Sequence, residues 1–149
     1  MKRSGGSRDP GCALSCQFLT YEEFFAATFL PDIRSWCGEK ARRANRNRLM
    51  SGRPAEKVTT DEVPSILISS KGRCAYCGSL AVERTPKHPE TRKPLPWGHI
   101  GRRIGSLDHI VSRFDGGTNT PANLAWSCRW CNTCPRERRH GASDHGAIR

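Results

Sequence analysis

Asp108 and His109 stand side by side in a stretch that reads SLDHIVSRFDGGTNTPANLAWSCRWCN over residues 106–132. Asn123 follows His109 by 14 residues and Asn132 follows it by 23. These types suit phosphodiester hydrolysis. An uncharged imidazole at His109 can act as general base, taking a proton from water as that water attacks phosphorus. Attack builds negative charge on the phosphoryl and departing oxygens, which a neighbouring divalent cation offsets. Asp108 and Asn132 are oxygen donors of the kind Mg²⁺ accepts. Asn123, a neutral amide and a poor base, suits bridging the loop and orienting the imidazole. An Asp-His pair alone is ordinarily surface decoration, and an Asn beside a turn is ordinarily a cap. The weight lies in the combination: the spacing, the Gly116-Gly117 loop and the flanking cysteines.

Those cysteines form two knuckles, Cys74-x-x-Cys77 and Cys128-x-x-Cys131, with 50 residues between Cys77 and Cys128. Each C-x-x-C turn brings two sulfurs to one ion, and two turns complete a tetrahedral zinc site. Four thiolates leave no open position, so this zinc is expected to stabilise and not to catalyse. Asn132 directly follows Cys131, so the zinc would also place a catalytic side chain. Cys134 overlaps the second knuckle as a spare or substitute ligand. Cys12, Cys16 and Cys37 lack knuckle spacing and read as free thiols.

Composition narrows the class. The 149 residues fit one domain, and 36% hydrophobic content allows only a small core that needs staples. Against 14 acidic residues stand 25 Lys and Arg, a net charge of +11, which favours polyanionic partners, nucleic acid before membrane. The N-terminal MKRSGGSRDPGCALSCQ has no apolar signal-peptide core, and no apolar run approaches membrane-spanning length. A cytoplasmic protein is expected, with its cysteines as metal ligands rather than disulfides.

The positioning elements follow from pattern. Residues 1–18 read as a flexible arm. Thr20-x-x-Glu23 is a capping box that opens a helix, with Tyr21, Phe24, Phe25 and Phe29 as an apolar stripe and Pro31 as its end. A second helix is expected from about 32 to 50, with Ile33, Trp36, Cys37, Ala41 and Ala44 inside. Arg34, Lys40, Arg42, Arg43, Arg46 and Arg48 make its outer surface positive. A short helix is expected near 64–70, entered through Thr59 to Glu62. Residues 84–98, rich in proline, read as an extended loop in which His88 and His99 are surface histidines. A strand over 106–111 would place Asp108 and His109 on opposite faces unless it ends or twists there. A short second strand over 123–126 and a helix from about Cys128 complete the set.

These motifs together resemble the HNH endonucleases in their zinc-stapled form: C-x-x-C, a DH-I/V segment, a Gly-Gly loop, an N-L segment and C-x-x-C-N. This chain supplies Cys74–Cys77, Asp108-His109-Ile110-Val111, Gly116-Gly117, Asn123-Leu124 and Cys128 to Asn132 over roughly residues 70–139. The His-to-Asn spacings look like those of the HNH domain in RNA-guided CRISPR nucleases. The resemblance implies His109 as general base, Asp108 and Asn132 as ligands of a catalytic Mg²⁺ or other divalent cation, and Asn123 as the residue orienting His109. It also implies two antiparallel strands packed on one helix, the ββα-metal arrangement. The family often carries a lysine three residues past the last motif position, where this chain has Pro135 and then Arg136.

The expected architecture is therefore α+β. It has a flexible arm (1–18), a basic helical extension (19–60), an HNH nuclease domain (61–140) and a flexible tail (141–149). The expected substrate is DNA, double-stranded, held by Arg42, Arg43, Arg46, Arg113 and Arg136. The setting, whether phage, mobile element or defence system, is left open, as are protein partners. The rival reading is a zinc-stapled module that binds nucleic acid without cutting it.

Overall fold

In the computed structural model, which describes residues 18–50, 56–94 and 101–133, the chain enters its first helix at Thr20. The Thr20 hydroxyl oxygen accepts from the Glu23 amide at 3.1 Å, and the Glu23 carboxylate accepts from the Thr20 amide at 3.0 Å. This reciprocal pair satisfies two N–H groups that a helix start leaves unpaired. Helix α1, Tyr21–Ala27, is shorter than the aromatic spacing suggests. Phe24 is buried, but Phe25 is 38% and Phe29 70% exposed, so the expected stripe narrows to Tyr21 and Phe24. The expectation that Pro31 ends this helix is wrong. Pro31 lies in the first turn of α2, Leu30–Met50, where a missing N–H forfeits no helical hydrogen bond.

Helix α2 buries Ile33, Trp36, Cys37, Ala41 and Ala44, the face its periodicity marks out. Helix α3, Glu62–Ser69, packs there through Val63 and Leu67. Its start is held by Thr59, whose hydroxyl accepts from the Glu62 amide at 3.3 Å while the Glu62 carboxylate accepts from the Thr59 amide at 2.7 Å. The stretch expected as an open loop contains a turn. Lys87 and Pro94 form an antiparallel bridge, and the exposed His88 ring accepts from the amides of Glu90 and Thr91 at 3.3 Å.

Strands β1, Gly105–His109, and β2, Leu124–Cys128, pair antiparallel, with Gly105 opposite Cys128 and His109 opposite Leu124. β1 stops at His109, earlier than expected, and β2 runs on to Cys128 after a 3-10 turn, Pro121–Asn123. Helix α4, Arg129–Thr133, follows β2 without a break. Among the described residues the sheet has these two strands alone. No helix among them is long and apolar enough to cross a membrane.

One aromatic file links the helices to the sheet. Phe18 meets Phe24, Phe24 meets Trp36, and Trp36 meets Trp126, all edge-on, with centroids 5.4, 5.8 and 5.4 Å apart. Trp126 also donates its indole N–H to the Ala81 carbonyl at 2.9 Å. The core around this file takes residues from α1, α2, α3 and β2. It therefore spans both sides of position 60.

Gly105 admits Trp126 against the backbone: a Cβ there would lie 2.4 Å from the Trp126 ring and 2.6 Å from the Ala81 carbonyl oxygen. Gly105→Ala is expected to cost about 1–3 kcal/mol of stability through overpacking. Chemical denaturation measures it, and an unchanged midpoint would contradict this packing.

Candidate active site and metal centre

Cys74 and Cys77 sit on a tight turn closed by the Gly78 amide donating to the Cys74 carbonyl and the Cys74 amide donating to the Ser79 carbonyl, both at 2.9 Å. The Ala75 amide donates to the Trp126 carbonyl at 3.0 Å, which ties this turn to β2. Cys128 ends β2 and Cys131 lies in α4, its amide donating to the Cys128 sulfur at 3.4 Å. All four sulfurs fall within 4.8 Å of one another, and Cys77 and Cys128 are 3.7 Å apart. Tetrahedral zinc–sulfur bonds of about 2.3 Å place sulfurs ~3.8 Å apart. The thiols are free of disulfides. Crowded together, they cannot all ionise unaided. A hydrogen bond from Cys128 holds Cys74 down to about 4, whereas that same bond, with burial, pushes Cys128 far up. A dication relieves the conflict, so the cluster could hold a metal ion such as zinc.

The second cluster grows from the end of β1. His109 is its last residue, so the strand alternation that would part Asp108 from His109 lapses there, and both line one cleft with Asn132. The cleft has a volume of about 450 Å³. The Asp108 carboxylate accepts from the His109 amide at 2.9 Å. Asn132 donates its side-chain nitrogen to the Leu107 carbonyl at 2.9 Å and to the Ser106 hydroxyl at 2.7 Å. Those donations assign Nδ2, leaving the carbonyl as the acceptor end. Asp108 and Asn132 thus bring oxygen acceptors, of the kind that could hold a hard cation, to one cleft.

The loop between the strands is shaped by its glycines and by Asn123. Ser112 caps a short turn, Arg113–Asp115, which ends in a left-handed Gly116 at φ 89°. A Cβ on Gly117 would lie 1.8 Å from the Val111 carbonyl oxygen. Asn123 clamps the same loop: its Nδ2 donates to Val111 and Thr118 carbonyls at 3.0 and 2.8 Å, and its Oδ1 accepts from the Val111 amide at 2.8 Å. The loop-bridging half of its expected role is visible in these bonds. The amide bonded to the imidazole, however, is Asn119, whose Oδ1 lies 2.7 Å from His109 Nε2. Asn119 is fully buried. Sequence reasoning missed it because an Asn inside TNTPAN looks like ordinary turn chemistry.

The cleft is strongly cationic. Lys40 and Arg43 enter it from α2, Arg113 from the loop and Arg129 from α4, and Asp108 is the one acid among the described lining residues. Lys40 donates to the Gly105 carbonyl at 2.6 Å and sits 5.4 Å from the Trp36 ring centre. Burial pulls its ammonium down to about 8, with Arg129 and Arg43 adding repulsion. Of the arginines expected to meet nucleic acid, Arg43 and Arg113 line the cleft, whereas Arg42 and Arg46 are exposed on α2 outside its lining. Arg34 pairs instead with Asp61. Arg136, Cys134, Pro135, Cys12, Cys16, His99, the side chain of Arg48, the arm to residue 17 and the tail lie outside the described residues.

Residues 99–138 match the HNH endonuclease family model. The HNH match spans β1, the glycine loop, β2 and α4, and leaves α1, α2, α3 and the Cys74–Cys77 turn outside it. It contains Asp108, His109, Asn123 and Asn132 and points to nuclease-type function. No curated protein and no solved structure shows a match to the chain.

Two measurements follow. The purified protein is expected to carry a single tightly held ion; Cys74→Ser should release it and lower the melting temperature, and Cys37→Ser should not release it. Atomic absorption decides, and metal retained in the Cys74 variant would disprove this ligand set. For His109, burial lowers the pKa below the ordinary imidazole value, and Arg113 lowers it further, against the Asn119 hydrogen bond and Asp108, which raise it. The folded state therefore binds this proton less tightly than the unfolded chain. Its contribution to stability is present above the unfolded pKa and is lost as pH falls through the folded one. An NMR titration of the ring should show a midpoint below about 6.5, and a midpoint above it would contradict the site geometry.

Proposed function

We propose that the chain is a metal-dependent HNH endonuclease that hydrolyses phosphodiester bonds of DNA, on a ββα-metal core stapled by zinc. The observation that carries this reading is the meeting of Asp108, His109 and Asn132 in one cleft walled by four cationic side chains. His109, neutral near pH 7, takes the proton of the attacking water. Asp108 and Asn132 would hold a divalent cation, which when bound offsets charge on the phosphoryl and leaving oxygens. Lys40, Arg43, Arg113 and Arg129 hold the backbone phosphates around the scissile one, in keeping with a chain of net charge +11. Cys74, Cys77, Cys128 and Cys131 would hold a zinc ion, which would fix the start of α4, and with it Asn132, beside β1.

The protein with Mg²⁺ should convert supercoiled plasmid to nicked or linear DNA, and a chelator should stop it. His109→Ala should lose about 10²–10⁴ of the rate while its zinc content and DNA affinity stay close to those of the parent. If the parent binds DNA but leaves it uncut with every divalent cation tried, the protein is a binding module and the nuclease reading fails.

A further inference from the structure

A neutral imidazole carries one proton on two nitrogens, and catalysis depends on which one. Around His109 that choice can be traced back to backbone. Asn45, on α2, is gripped at both ends of its amide by Val58: the Val58 N–H donates to Oδ1 at 3.1 Å, and Nδ2 donates to the Val58 carbonyl at 2.8 Å. A backbone N–H only donates and a carbonyl only accepts, so Asn45 has one permitted orientation. The same Oδ1 accepts from Nδ2 of Asn119 at 3.0 Å. Asn119 thereby spends its nitrogen on Asn45 and turns its oxygen to His109 Nε2 at 2.7 Å. An amide oxygen only accepts, so Nε2 holds the proton and Nδ1 keeps the lone pair. Asn119 has no exposed surface, so bulk water offers no ready substitute for either bond.

We propose that Asn45 is a positioning residue for His109: acting through Asn119, it holds the imidazole in the Nε2–H form and leaves Nδ1 as the atom that receives the proton of water. Asn45 lies outside the HNH-matched stretch, so the basic helix takes part in setting up the reaction as well as in binding. The kinetic consequence rests on the nuclease reading; the ring tautomer does not. A merely structural Asn45 would need its two Val58 bonds and no third partner.

The test uses full-length, metal-loaded protein with ¹⁵N-labelled histidine, read by long-range ¹H–¹⁵N correlation at a pH where His109 is neutral. The parent is expected to show the Nε2–H pattern. Asn45→Ala leaves Asn119 Nδ2 without its acceptor and lets that amide turn over. His109 should become a mixture of tautomers, with kcat on plasmid about ten- to a hundredfold lower and KM little changed. Asn45→Asp still accepts from Asn119, so it should keep the Nε2–H pattern and a kcat above that of the alanine variant. A parent in the Nδ1–H form overturns the proposal, as does an alanine variant with unaltered tautomer and kcat. If Asn45→Ala does not fold, the parent and Asn45→Asp spectra decide, and loss of the Nε2–H pattern in the latter counts against it. If the tautomer behaves as stated but no variant or parent cuts DNA, the relay stands and the nuclease reading falls.

Discussion

Four sulfurs within 4.8 Å of one another could share a single metal ion, and the placement of the site depends on that cluster. It joins a turn at 74–77 to the junction of β2 and α4, where Asn132 follows Cys131 directly. Asn132 in turn reaches back to Leu107 and Ser106 in β1. Cys128 and Cys131, at the start of α4, meet the sulfurs of the Cys74–Cys77 turn, which sets where α4 leaves the sheet.

The second support is the long basic helix. Its inner face meets the sheet through Trp36 against Trp126, and the same helix presents Lys40 and Arg43 to the cleft. These facts are coupled. A helix repeats every 3.6 residues, so burying Trp36 fixes where the positions four and seven further on must point. Lys40 sits beside the Trp36 ring and bonds β1 at Gly105, in a place where its charge is partly desolvated.

The glycine loop shows how little freedom such a site leaves. Gly116 supplies a left-handed turn, and Gly117 lets Val111 and the Asn123 amide close over it. Asn123 then does with one side chain what a third strand would otherwise do, bonding backbone on both arms of the loop. His109 emerges from β1 just before this clamp, with Asn119 from the same loop on its ring.

Much of this was legible in the chain itself. Thr20 and Glu23 mark a helix start because their bonds are local. The buried face of α2 follows from periodicity, and the two C-x-x-C turns announce a four-sulfur cluster because ligand spacing is set within each turn. Asp108, His109, Asn123 and Asn132 were marked by type and interval. Long-range contacts decided the rest. No local rule tells that Phe29 stays exposed, that Pro31 opens a helix instead of ending one, or that Arg34 pairs with Asp61 while Arg43 enters the cleft. Nor does local chemistry distinguish Asn119 from any turn asparagine, or Asn45 from any polar residue on a helix. Their hydrogen bonds reach partners 10 and 74 positions away in the chain, and only the folded packing of α2 against the loop brings those partners within hydrogen-bonding distance.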